Sequence, residues 1–133
     1  MPYTVTWYDD EKTIIRFDIH GASNWDGFSV ATDQACEMID SVPHRVDIIF
    51  DDHIGMPQGN PFPQLRKSMK SFNERKNLVL SITVAHSRMS LLVESLVDIT
   101  KRFSSMNAKE THYVDTFEKA LDIIAQHRAE ADE

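Results

Sequence analysis

The chain has a single cysteine, Cys36, so no internal disulfide can staple it. Four glycines and five prolines among 133 residues leave no low-complexity tract. Neither GxGxxG nor GxxxxGK[ST] occurs, which removes the loops that cradle nucleotide phosphates. Apolar runs are a few residues long, far below the ~20 needed to cross a bilayer, so no membrane span is expected. The opening MPYTVTWYDDEKT lacks the basic start and apolar stretch of a secretion signal, and cytoplasmic localisation is expected. Positive charge is also scarce. Lys and Arg number 14 against 21 Asp and Glu, a formal net charge of −7, which opposes nucleic acid as a partner. Residues 66–76 run against this trend with Arg66, Lys67, Lys70, Arg75 and Lys76, and read as the solvated face of a helix.

What remains is an ordinary globular composition, 41% apolar and 26% charged, sufficient for one core. Residues 3–8 and 13–19 alternate in character around Asp9-Asp10-Glu11-Lys12 and predict a β-hairpin. Ser23 or Asn24 can cap a first helix running to about Asp40, whose stripe is Phe28, Ala31, Ala35, Met38 and Ile39. Arg45 to Asp51 predicts a strand, and Phe62, Leu65, Met69 and Phe72 mark a second helix. Asn77 to Ala85 is the clearest strand, with Leu78, Leu80, Ile82 and Val84 alternating with Val79, Ser81, Thr83 and Ala85. Ser87 can cap a third helix carrying Met89, Leu92, Val93, Leu96, Val97 and Phe103. Thr111 to Asp115 predicts a last strand. Thr116 caps a closing helix with Phe117, Ala120, Leu121, Ile124 and Ala125 inward, and an acidic tail over about 128–133 is expected to fray.

The predicted order is ββαβαβαβα, an α/β protein with a mostly parallel five-stranded sheet. Each strand has one strongly apolar face and one face of charged, hydroxyl or small residues. This pattern predicts helices mainly on one face, with Arg16, Asp18, Arg45, Asp47, Ser81 and Thr83 on an open sheet surface.

With this order of elements the chain resembles the STAS (anti-sigma factor antagonist, SpoIIAA-like) superfamily, in particular its small stand-alone bacterial members. The likeness rests on the hairpin with Trp7, on Trp25-Asp26-Gly27-Phe28, on Ser41-Val42-Pro43-His44-Arg45-Val46-Asp47 entering a strand that ends at Asp51, and on Tyr113-Val114-Asp115-Thr116. It implies one STAS-like domain over 1–133 and a role in protein–protein regulation through the loop after the third strand. Anti-sigma factor antagonists carry a phosphorylatable serine at the start of the next helix. Here DDHIGMPQGNPF has no Ser or Thr, and Ser68 lies a turn and a half inside helix two, so the phosphoswitch is not expected.

Partner- or ligand-binding residues are expected at the carboxyl ends of the strands and the loop beyond: Asp51, Asp52, His53, Pro61, Phe62 and His86. His20, His53 and His86 match no spacing known for metal ligands, and no metal or cofactor is expected. No catalytic residue is expected either. Ser87 beside His86 has a sufficient role as a cap, and Cys36 reads as a packing thiol. The leading expectation is a non-enzymatic regulatory or protein-interaction module, binding another protein or itself. A module for a small apolar or lipid-like ligand comes second, suggested by Leu91 and Ile99 lying off the helix-three stripe and by the family's structural likeness to lipid-transfer folds. An enzyme comes third.

Overall fold

A computed structural model describes residues 3–20, 25–53, 62–85 and 110–131. The described elements are β1 (Tyr3–Trp7), β2 (Ile14–Ile19), α1 (Trp25–Asp40), β3 (Val46–Asp52), α2 (Phe62–Asn73), β4 (Leu78–Ala85), β5 (Glu110–Val114) and α3 (Phe117–Ala131). The protein is α/β, with one five-stranded sheet in the order β1-β2-β3-β4-β5. Among the described strands only the β1–β2 pair is antiparallel. The helix expected from Ser87 to Phe103 lies outside the described residues, so the full ββαβαβαβα order is not established. No described helix is long and apolar enough to cross a membrane.

The hairpin is closed by its own turn chemistry. Lys12 adopts φ 59°, a left-handed conformation that costs a side-chain-bearing residue free energy, and its N–H donates to Asp9 O at 3.2 Å. The Asp9 carboxylate accepts from Thr13 N at 2.8 Å, from Ile14 N at 3.0 Å and from the Thr13 hydroxyl. Beyond the turn, Ile15, Phe17 and Ile19 enter the first core together with Tyr3 and Val5 of β1, Val46 and Ile48 of β3, and Phe28, Ala31, Ala35, Cys36 and Ile39 of α1. A chain of rings ties this core together, running Phe28 to Phe17 (5.5 Å between centroids), Phe17 to Phe50 (4.9 Å) and Phe50 to Phe72 of α2 (5.9 Å). Helix α1 ends under the side chain of Asn77, whose amide donates to Ile39 O, Val42 O and His44 O at 2.9, 3.1 and 3.1 Å. Carbonyls that a helix end leaves unpaired thus find a donor.

The helices do not keep to one face, contrary to the sequence expectation. Helices α1 and α2 cover the face of Ile15, Phe17 and Ile48, whereas α3 packs through Ala120 and Ile124 on Ile14, Ile49, Leu80, Ile82 and Val84. Ile48 and Ile49 are neighbours in one strand and so point to opposite faces. The cause lies in β4. Val46 pairs with Leu78 but Ile48 pairs with Ser81, so β4 carries one extra residue at this point. A one-residue slip inverts every later side chain. Leu78 therefore belongs to the α1 core, while Leu80, Ile82 and Val84 face α3. Ser81 and Thr83 are carried to the face opposite Arg16 and Asp18. The handedness rule governs only helices that connect parallel strands, which leaves the closing helix free to choose the second face.

That face holds a buried anion. Asp47, expected on an open surface, is fully buried. Its carboxylate accepts from Leu80 N at the bulge (3.0 Å), from Arg45 Nε (3.3 Å) and from Arg128 Nε (3.0 Å). Arg128 also donates to Thr13 Oγ1 (3.1 Å) and Thr13 O (2.9 Å), joining α3 to the hairpin turn. The stretch expected to fray from residue 128 is accordingly helical through Ala131.

Replacing Asp47 by Asn should leave two partly buried guanidinium groups without their counter-ion. An expected loss of about 2–3 kcal/mol, below the full cost of a broken buried pair because both arginines reach solvent, is measurable by urea denaturation. The turn supplies a pH test. Burial pushes the Asp9 carboxyl up, but hydrogen bonds from the Thr13 hydroxyl and from the Ile14 and Thr13 N–H groups outweigh it and hold it below its ordinary 3.8. A depressed folded-state value means that the stabilisation is complete above the unfolded value and is lost as pH falls through the folded one. Asp9→Asn should therefore flatten the acid limb of the stability profile as pH falls below the ordinary carboxyl value of 3.8.

Candidate functional site

Parallel pairing of β2 with β3 places Asp18 opposite Asp51 and Ile19 opposite Asp52. Strand alternation then sets Arg16, Asp18 and Asp51 on the α3 face and Asp52 on the other. The ladder continues one step beyond β3, where His53 N–H donates to Ile19 O at 3.0 Å. This bond stations the His53 ring beside the two carboxylates. Its Nε2 lies 3.3 Å from Asp18 Oδ1 and 3.4 Å from Asp51 Oδ2.

Asp51 is 1% exposed, and its Oδ2 accepts from Arg16 Nη2 at 2.6 Å and Nε at 3.1 Å. The guanidinium supplies the charge that a carboxylate removed from water requires. It also lies 5.0 Å from the centre of the Phe117 ring, which Tyr8 meets at 5.2 Å. Arg16 and His53 are each 39% exposed, so the cluster is buried at Asp51 and open at the imidazole. Asp18 Oδ1 is a buried atom with no hydrogen-bond partner among the described residues, although His53 Nε2 stands 3.3 Å away.

Of the residues expected at the site, Asp51 and His53 come together, and Asp52 flanks them from the opposite face. Pro61 and His86 lie outside the described residues, and of Phe62 only the backbone, at the start of α2, is described. His20 engages Thr4 Oγ1 at 2.9 Å and does not join the cluster. The strand pattern places Arg16 and Asp18 only on a solvent face. The available signal was positional: each acidic residue precedes the end of its strand by one residue, and parallel neighbours in register bring such positions side by side. Together two carboxylates, an imidazole and a guanidinium can exchange protons, pair with charged groups or coordinate a cation.

Other candidates for chemistry are structural. Cys36 is buried in the first core, and burial pushes its thiol up, which keeps it protonated and unreactive at neutral pH. Ser87 and His86 lie outside the described residues. Ser68 faces α1: the Thr32 hydroxyl donates to Phe28 O at 2.9 Å and lies 3.1 Å from Ser68 Oγ, both side chains being buried.

No family model, curated protein or solved structure matches the chain.

The position of Ser68 sets an expectation for modification. A kinase cannot reach its hydroxyl while α1 and α2 are packed. Ser68→Asp should destabilise the fold by about 3 kcal/mol, the order expected for a charge forced into a buried contact between two hydroxyls. Thermal unfolding of S68D beside S68A measures it.

Proposed function

We propose that the protein is a non-enzymatic regulatory or interaction module of the STAS type, acting in the cytoplasm, and that it meets a protein partner or a second copy of itself at the carboxyl edge of β2 and β3. The observation that carries this reading is the fixed base of that edge. Asp51 is buried and tied to Arg16, and His53 is hydrogen-bonded through its backbone to β2. A loop leaving such a base starts from a single geometry. The following residues, HIGMPQGNPF, include two prolines before Phe62, which restrict the chain further and reduce the entropy lost when a partner orders it. Asp52 and His53 frame the exit of the loop with an acid and an imidazole.

The resemblance of Trp25-Asp26-Gly27-Phe28 and Tyr113-Val114-Asp115-Thr116 to STAS sequences supports the same surface, without the phosphorylatable serine. The −7 charge favours a partner that presents a basic patch.

Two double variants test this placement. Asp52→Ala with His53→Ala alters the loop exit. Val30→Ala with Glu37→Ala alters the exposed side of α1, where Val30 is 68% exposed. Proximity labelling or affinity capture followed by quantitative mass spectrometry should recover a partner with the wild type and the α1 variant and lose it at least tenfold with the loop variant. Equal recovery by the loop variant, or loss confined to the α1 variant, refutes the placement.

A further inference from the structure

We propose that Asp18, Asp51 and His53 form a binding site for one divalent transition-metal ion, with a donor set suited to zinc. The three ligand atoms, two carboxylate oxygens and an imidazole nitrogen, lie within 4.8 Å of one another. Zinc bonds to oxygen and nitrogen of ~2.0–2.1 Å put neighbouring ligands of a tetrahedron ~3.3–3.4 Å apart. His53 Nε2 already stands 3.3 Å from Asp18 Oδ1 and 3.4 Å from Asp51 Oδ2. The spacing is set by the backbone: Asp18 and Asp51 are register partners, and His53 N–H is bonded to Ile19 O.

Two further observations separate this cluster from a chance meeting of surface acids. One is the orphan oxygen. Asp18 Oδ1 is a buried atom on a side chain 24% exposed, and among the described residues it accepts no hydrogen bond although an imidazole nitrogen stands beside it. A cation between the two converts that contact into a pair of bonds, and a buried polar atom without a partner is otherwise costly. The other is the charge balance. Asp51 is 1% exposed, and its counter-charge comes from Arg16, a side chain 39% exposed that has the Phe117 ring 5.0 Å away to rest on. Arg16 can therefore withdraw when a cation arrives. Metal and guanidinium compete for Asp51 Oδ2, and Arg16 acts as an internal stand-in for the ion. His53 is 39% exposed, so water can complete the coordination shell.

This competition sets the test. The full chain without a His-tag is titrated with zinc by calorimetry in a non-chelating buffer, and cobalt(II) binding is followed through its visible d–d absorption. One zinc per chain is expected, with affinity at least tenfold weaker in Asp18→Asn and in His53→Ala. Arg16→Met should bind zinc at least threefold tighter, an effect that adventitious binding to an exposed histidine would not give. Near-UV circular dichroism checks that each variant is folded, and Arg16→Gln replaces Arg16→Met if the latter is not. The site is overturned by the absence of saturable binding, or by binding that survives both Asp18→Asn and His53→Ala. Unchanged affinity on removing Arg16 overturns the placement of the ion on Asp51.

Discussion

The second face of the sheet depends on one carboxylate. Asp47 is fully buried and balanced by Arg45, the residue just before β3, and by Arg128 from α3, with Leu80 N–H as a third donor. Three otherwise separate features meet there: the bulge in β4, the hairpin turn and the closing helix. Arg128 reaches Thr13, and Thr13 reaches Asp9, so the link runs from the last helix to the first turn. Without the counter-charges, burying Asp47 would cost more than the contacts of Ala120 and Ile124 return. The arginines thus decide where α3 sits, and apolar packing then makes the position stable.

Most of the elements were legible because periodicity and caps report directly on local structure. The hairpin around Asp9 to Lys12, the stripe of α1 and the strand from Leu78 to Ala85 follow from alternation and turn residues. Thr116 caps α3 as its position suggested, accepting from Lys119 N at 3.2 Å. The placement of α3 was not legible, for a definite reason. Leu78, Leu80, Ile82 and Val84 look like one continuous face, and only the pairing register shows that an extra residue sends Leu78 one way and the other three the opposite way. No local propensity marks that residue. The same blind spot made Asp47 look solvent-exposed, because its partner Arg128 lies 81 residues away.

The candidate site divides along a similar line. Asp51 and His53 could be picked out because they sit together at a strand end. Arg16 and Asp18 were visible as polar residues of β2 but not as their companions, since a sequence does not state which parallel strands are neighbours or in what register. Asp52 illustrates the reverse case. It adjoins Asp51 in the chain, yet alternation turns the two carboxylates to opposite faces.

The span between Asp47 and Arg128 has a consequence for biosynthesis. At ~5–20 residues per second, reaching Arg128, 81 residues beyond Asp47, takes about 4–16 s. Until then the nascent chain lacks the guanidinium that lets Asp47 be buried beneath α3, although β3, β4 and β5 are complete before α3 is made. The α1 side can pack as it emerges, since Phe17, Phe28, Ile48 and Phe72 all precede β4. The opposite side, with Ile49, Leu80, Ile82 and Val84, lacks the cover of Ala120 and Ile124 until α3 is made. A chaperone that recognises apolar strands would find its target on that side of the ribosome-bound chain and lose it when Arg128 closes over Asp47.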